Sequence, residues 1–122
     1  MDDRIFTYLE SVHRAATRAI AFLDGQSLDA FLHDEKTQAA VSMSLIVIGE
    51  GANNIALRAP EFVAAHSNWP WDRIRGLRNR IAHGYDALEL SVIWSTVVDY
   101  LPTLISAIED LGELDPRLAP RE

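Results

Sequence analysis

The stretch of sequence that most constrains the fold is AAVSMSLIVIGEGA, residues 39–52, in which only Ser42, Ser44 and Glu50 are plainly polar. Apolar residues recur at helical spacing in two stripes, one formed by Ala39, Met43, Ile46 and Val47 and the other by Val41, Leu45, Ile48, Ala52 and Ile55. A helix that is apolar nearly all round is buried on both sides. In so short a chain we expect a second subunit to cover one side. The stretch therefore predicts a core helix and a symmetric homodimer.

Helical periodicity continues on both sides of this stretch. Helices are predicted over residues 3–23 and 34–59, the latter ended by Pro60, with short helices around 28–32 and 61–66. A fourth helix starts with Pro70 at its first position and ends at Gly84, and the last covers residues 88–111 with a kink at Pro102. Together they predict an all-α bundle of four main helices, in one domain over residues 1–122 with a frayed tail after about residue 112.

Length and composition limit the class of protein. With 122 residues the chain has room for one hydrophobic core. No cysteine is present, which excludes disulfides and thiolate metal sites. The acidic N-terminus is not followed by an apolar run, so we expect no secretory signal. No stretch approaches the length that spans a bilayer, and the prediction is a cytoplasmic protein without a membrane partner.

The distribution of charge is more informative than the net value of −7. Four arginines and one aspartate between residues 72 and 83 give that segment +3, so the rest of the chain carries −10. Broad contact with nucleic-acid phosphates requires a basic surface, which this composition argues against. A compact cationic spot on an acidic body indicates a focused anion site.

The segment with candidate chemistry is RNRIAHGY, residues 78–85. On a helix that advances about 100° per residue, Arg78, Asn79, His83 and Tyr85 converge near one end, away from the apolar seam. An arginine guanidinium binds phosphate oxygens as a fork, a histidine transfers protons near neutral pH, and an amide can orient the imidazole. These residue types suit phosphoryl transfer.

Other catalytic arrangements are missing from the sequence. No carboxylate cluster with metal-ligand spacing, glycine-rich phosphate loop or Ser-His-Asp order is evident, so we expect neither a metal nor another cofactor. Transfer with the 2′-hydroxyl of RNA as nucleophile needs proton shuttles and a cation at phosphorus. The segment has one histidine, whereas in-line transfer is best served by a base and an acid. Two copies across a two-fold axis supply both, which is a second argument for a dimer.

A purely structural interpretation fits the same residue types. Cations near a helix C-terminus interact favourably with exposed carbonyls. Trp69, Trp71 and Tyr85 can belong to the core or its rim. On residue types alone, this interpretation is the stronger one.

The order of several motifs resembles that of the HepT-like toxins of the HEPN superfamily. Residues 78–85 fit the signature R-x-x-x-x-H-x-Y, and a Pro-Trp pair precedes an Ile-x-Gly-Leu-Arg-Asn run at residues 74–79. The core helix contains an Ile-Gly-Glu sequence at residues 48–50, and a Phe-Leu pair occurs at residues 31–32. The resemblance spans residues 3–111. R-x-x-x-x-H alone is weak, whereas the combination in this order is specific.

The resemblance implies a HEPN-like helical bundle that dimerises with both motifs facing a shared cleft. It implies a metal-independent endoribonuclease that cleaves tRNA or mRNA, with Arg78 and His83 catalytic and Asn79 supporting them. It also implies a partner, an MntA-like minimal nucleotidyltransferase antitoxin, which silences the toxin by attaching AMP to Tyr85.

The core helix has an acid between two glycines, where relatives often have Gly-Glu-Ala. We expect Gly49 and Gly51 to allow close helix approach. Glu50 is expected to be a buried acid paired with Arg75 or Arg78 rather than a catalytic group.

Other residues and the function itself keep alternatives open. Trp69 and Trp71 are expected to pack rather than to stack on bases. For Arg73, Arg75 and Arg80, substrate binding and a solvated surface are equally open. A non-catalytic HEPN module that binds a nucleotide or a partner is the main alternative function. A second places the enzyme in the partner, with this chain as its substrate.

Overall fold

The computed structural model describes residues 2–82, 86–113, 115 and 117. His83 and Tyr85 of the predicted motif lie outside the described residues, as does most of the tail after residue 113. Helices account for nearly all of the described ranges, and no strand occurs within them. This confirms the prediction of an all-α bundle.

The helices follow the predicted order along the chain. In the described ranges they are α1 (Asp3–Leu23), α2 (Leu28–Leu32), α3 (Glu35–Arg58), α4 (Pro60–Ala65), α5 (Trp71–Arg75), α6 (Leu77–Ala82), α7 (Ala87–Ser95) and α8 (Leu101–Asp110). A π-helical turn, Thr96–Tyr100, joins α7 to α8, and a 3₁₀ turn, Leu111–Glu113, follows α8. The bounds of α1 to α4 agree with the sequence-based prediction to within one residue.

Side-chain caps explain where the long helices begin. The Asp2 carboxylate accepts the backbone N–H of Arg4 at 2.8 Å, ahead of α1. The Asp34 carboxylate accepts the hydroxyl of Thr37 at 2.7 Å and its backbone N–H at 3.0 Å, ahead of α3. These bonds, with a further one from Gln26, stabilise the charged form and lower the pKa of Asp34 to about 2.

The centre of the core is the predicted stripe of α3. Val41, Leu45, Ile48, Ala52 and Ile55 are each at most 1% exposed. α1 packs along them with its own apolar residues, which are Ile5, Leu9, Val12, Ala15, Ala16, Ala19 and Leu23. The expectation of close helix approach is also confirmed. A Cβ added to Gly51 would lie 2.5 Å from Val12 Cγ2, and one added to Gly49 would lie 3.0 Å from the Ile74 carbonyl oxygen.

The other predicted stripe of α3, which contains Met43 and Val47, is exposed in the single chain. Met43 is 63% exposed, Val47 37%, and Leu57 further along the helix 78%. An exposed apolar face of this kind is typical of an interface. The prediction that a second subunit covers it stays a prediction.

Gly76 interrupts the predicted fourth helix, which is therefore not continuous. α5 ends at Arg75 and α6 begins at Leu77, and Pro70 is the N-cap residue rather than the first helical one. Glycine has a low helix propensity. The Ile74 carbonyl lies against Gly49 of α3, so the break lies beside a close contact between the two segments.

The effect of Pro102 takes the form of the π-helical turn. Proline has no N–H to donate and its ring crowds the preceding turn, and the Leu101 N–H bonds to the Thr96 carbonyl, five residues back. The wider turn shifts the helical register. Val98 is exposed, whereas Val97 and Leu101 are buried.

Two helical stretches are long and apolar enough to span a bilayer, which contradicts the sequence-based statement. They are Glu35–Arg58, with a hydropathy of 1.3, and Ala87–Asp110, with 1.4. Half of the α3 window is buried inside the protein, because its apolar stripe forms the core. A core helix meets the same criterion of length and composition, so this feature does not assign the chain to a membrane.

Candidate active site

The predicted motif begins where α5 and α6 pack on α3. Gly49 lets the Ile74 carbonyl approach α3, and this contact brings the arginines that follow Ile74 over the next turn of α3. Arg78 and Asn79 both lie in α6 and are exposed. Because His83 and Tyr85 lie outside the described residues, their convergence with Arg78 stays a prediction.

Arg78 forms an ion pair with the acid of the core helix. Its Nη1 donates to Glu50 Oε1 at 2.5 Å. The expected pairing of Glu50 is therefore confirmed with Arg78 as the partner, but the expected burial is wrong. The side chains are 66% and 46% exposed, because Glu50 lies on the outer face of α3 rather than on its core stripe. The guanidinium is thus accessible to an anion.

Arg75 and Arg80 flank this pair and have different partners. Arg75 Nε donates to Asn53 Oδ1 at 2.9 Å. Arg80 Nη1 lies 3.5 Å from a carboxylate oxygen of Glu89 on α7. Both arginines are exposed, so they remain candidates for substrate binding.

Arg73 connects α5 to the last helical stretch. It donates to Ser95 Oγ at 2.8 Å and to Thr96 Oγ1 at 3.2 Å, and its guanidinium lies 4.4 Å from the centre of the Tyr100 ring. It is partly buried. Neither interpretation left open by the sequence fits it, since its contacts hold the α5 segment to the π-helical turn.

The tryptophans ahead of the motif belong to a packed aromatic cluster. Trp69 and Trp71 are buried and stack with ring centres 5.5 Å apart. The Trp71 indole N–H donates to the His66 carbonyl at 2.8 Å, and Phe62 meets both indole rings edge-on. The expectation of packing rather than base stacking is confirmed.

The exposed face of α3 is continuous with the Arg78 pair. At about 100° per residue, Met43, Val47, Glu50 and Leu57 share one face of α3, with Glu50 between the apolar residues. A cleft of about 360 Å³ runs beside this face and is lined by Arg14, Arg18 and Phe22 of α1 with Met43 and Val47 of α3. The Arg78–Glu50 pair therefore lies next to an exposed apolar face of α3.

Asn53 is a site residue that sequence reasoning missed. An amide on a helix is commonly solvated, and nothing in its local sequence marks it as a partner of Arg75. The available signal was its position three residues after Glu50, which places both side chains on adjacent turns of one face.

Comparison with known proteins assigns this all-helical chain to a class of ribonucleases. Residues 12–111 match the family described as Ribonuclease HepT-like. A relative from Thermococcus cleftensis, named as an inferred ribonuclease HepT, is 33% identical over 85% of this chain and 92% of its own. Two proteins named as inferred RNases, from Methanocaldococcus jannaschii and Caldanaerobacter subterraneus, are 35% and 30% identical over 75% and 85% of this chain and 74% and 90% of theirs.

The chain belongs to the HepT-like ribonuclease family, as the motif order indicates. The matched residues include the whole R-x-x-x-x-H-x-Y segment and the core helix. No solved structure matches this chain.

Proposed function

We propose that this ribonuclease is the toxin of a toxin–antitoxin pair, a metal-independent endoribonuclease that cleaves tRNA or mRNA. Arg78 and His83 are the catalytic residues, and Asn79 supports them. The proposal rests on one observation: the Arg78 guanidinium is exposed and donates a hydrogen bond to Glu50 through one of its nitrogens. Membership of a ribonuclease family supports the same role.

The reaction follows from the chemistry of the two catalytic side chains. One His83 imidazole removes the proton of the RNA 2′-hydroxyl, whose oxygen attacks the adjacent phosphorus. The bond from phosphorus to the 5′-oxygen breaks, and that oxygen takes a proton from a second imidazole. Arg78 stabilises the negative charge that develops on the phosphoryl oxygens. The products are a 2′,3′-cyclic phosphate and a 5′-hydroxyl.

The mechanism is tested by the requirements of cleavage and by its products. Cleavage should persist in EDTA and leave 2′,3′-cyclic phosphate or 3′-phosphate ends, because the substrate supplies the nucleophile. Mass spectrometry of the fragments of a short RNA identifies the ends. RNA with 2′-O-methyl groups and DNA of the same sequence should remain intact. Strict dependence on Mg²⁺, or equal cleavage of DNA, contradicts the mechanism. Binding of RNA without cleavage favours the non-catalytic module.

The second imidazole requires a second copy of the chain. The exposed stripe of α3 supports this arrangement, since Met43, Val47 and Leu57 are apolar and share a face with Glu50. Two chains that pack through this face bring their Arg78–Glu50 pairs to the same interface. A two-fold dimer of this kind presents the same patch twice.

Met43→Glu is expected to give a monomer, because each interface would have to bury two carboxylates in place of apolar contacts. Light scattering at micromolar concentration should then report 13.6 kDa, and RNA cleavage should fall with the dimer. Val98→Glu is the matched control, since Val98 is also exposed but lies on the π-helical turn. A wild-type protein that is monomeric, or a fully active monomeric variant, rejects the shared site.

Control by an antitoxin is the last part of the proposal. An MntA-like nucleotidyltransferase attaches AMP to the Tyr85 hydroxyl and silences the nuclease. Tyr85 lies seven residues after Arg78 in the sequence. An AMP group at this point adds a phosphate that competes with RNA for the guanidinium.

A further inference from the structure

Two side chains of α3 hold two arginines of the motif segment. Glu50 binds Arg78 at 2.5 Å, and Asn53 binds Arg75 at 2.9 Å. Each set of residues is spaced by three positions, so the two contacts run side by side. They lie on opposite sides of the break at Gly76, one at the end of α5 and the other near the start of α6. We call these two contacts the anchor pair.

The backbone that supports Glu50 is itself fixed between two helices. The glycine before it meets the carbonyl of Ile74 in α5, and the glycine after it meets Val12 in α1. Neither position has room for a side chain unless the neighbouring segment moves. The backbone at Glu50 is therefore held relative to both segments.

The anchor pair contributes little to the stability of the fold. Glu50 and Arg78 are about half and two-thirds exposed, and exposed ion pairs contribute little because water screens them. The ion pair affects mainly the orientation of the Arg78 side chain. A free arginine side chain samples many rotamers. The hydrogen bond from Nη1 to Glu50, whose backbone is held in place, limits where the rest of the guanidinium can lie.

We propose that Glu50 is a positioning residue for Arg78 and that Asn53 assists it by fixing the α5 side of the break. This inference rests on the proposed nuclease function. Glu50 orients the guanidinium through Nη1 and leaves other nitrogens for a phosphoryl oxygen. Its negative charge also repels the RNA backbone. Glu50 therefore favours the chemical step and weakens RNA binding at the same time.

The opposing effects distinguish positioning from a structural role. Glu50→Ala should lower kcat by roughly 10- to 100-fold, in the range expected for a displaced catalytic group. The same variant should bind RNA as tightly as the wild type or more tightly. Glu50→Gln keeps a hydrogen-bond acceptor without the charge, so it should retain more of kcat while RNA binding still tightens. Asn53→Ala should lower kcat less than Glu50→Ala.

The measurements are kcat and KM on a cleavable RNA and Kd on the same RNA blocked by 2′-O-methyl groups. Glu61→Gln on α4 changes the net charge equally, and Asn54→Ala removes the neighbouring amide, so both serve as matched controls. Unchanged kcat in both Glu50 variants overturns the proposal. A parallel loss of kcat, RNA binding and melting temperature also overturns it, because that result indicates a structural role.

A readout that does not depend on activity separates this inference from the proposed function. In ¹⁵N NMR spectra of the arginine side chains, a fixed guanidinium gives separate Nη signals, and a freely rotating one gives an averaged signal. Arg78 should give separate signals in the wild type and an averaged signal in Glu50→Ala. Averaged signals in the wild type overturn the inference. Separate signals in a protein that cleaves no RNA contradict the nuclease function while the anchor pair stands.

Discussion

Replacing Arg78 with alanine is expected to lower RNA cleavage by on the order of 100- to 1,000-fold, the cost of removing one group that stabilises charge in the transition state. The fold should survive, since Arg78 is exposed and its one described ion pair is with a surface carboxylate. Arg78→Lys keeps the charge but loses the planar fork, so its activity should lie between those of the wild type and the alanine variant.

Circular dichroism and cleavage of a labelled RNA together decide this prediction. Arg58→Ala is the control, because it removes an exposed arginine from the end of α3 and changes the net charge equally. His83→Ala should inactivate the enzyme to at least the same degree, since both proton transfers of the proposed mechanism pass through this residue. If Arg78→Ala and His83→Ala remain folded and cleave RNA at the wild-type rate, the motif is structural.

The fold was largely predictable where local rules and tertiary packing agree. The spacing of apolar residues in α1 and the cap at Asp34 set helix bounds that the structure reproduces. The break at Gly76 was not predicted, because an isolated glycine inside a helical pattern is often tolerated. The contact between Ile74 and Gly49 at this point joins residues 25 positions apart, so the local sequence does not reveal it. The sequence predicted a kink at Pro102 but not the π-helical turn. The apolar pattern does not show whether a backbone N–H bonds to the carbonyl four or five residues back.

In the candidate site, too, local features were predicted better than contacts between distant parts of the chain. Arg78 was identified from the motif alone. The sequence predicted that Glu50 pairs with Arg75 or Arg78, and in the structure the partner is Arg78. Arg73 was misjudged because its partners, Ser95 and Thr96, lie 22 and 23 residues away along the chain. The burial of Glu50 was also misjudged. A helix that is apolar nearly all round suggested a buried acid, whereas the outer face of α3 is exposed in the single chain.

Tyr85→Phe is expected to remain a nuclease and to escape silencing by the proposed antitoxin. In the proposed modification, the Tyr85 hydroxyl oxygen attacks the α-phosphorus of ATP, the phenolic proton is lost, and pyrophosphate leaves. Phenylalanine keeps the ring but has no oxygen to attack. The attached phosphate would lie two residues beyond His83 in sequence, where its charge competes with RNA for Arg78. The adenosine would obstruct the shared cleft of the proposed dimer.

Intact-mass spectrometry after co-expression with an MntA-like nucleotidyltransferase measures this modification directly. The wild type should gain mass in whole AMP units and lose RNA cleavage, whereas Tyr85→Phe should gain none and stay active. Tyr100→Phe is the matched control, since Tyr100 lies against Arg73 on the π-helical turn and should leave modification at Tyr85 unchanged. An inhibited complex in which the toxin has its unmodified mass shows that the antitoxin acts by steric masking. That outcome rejects AMP transfer but leaves the assignment of Arg78 and His83 intact, because the two cleavage residues are tested without the antitoxin.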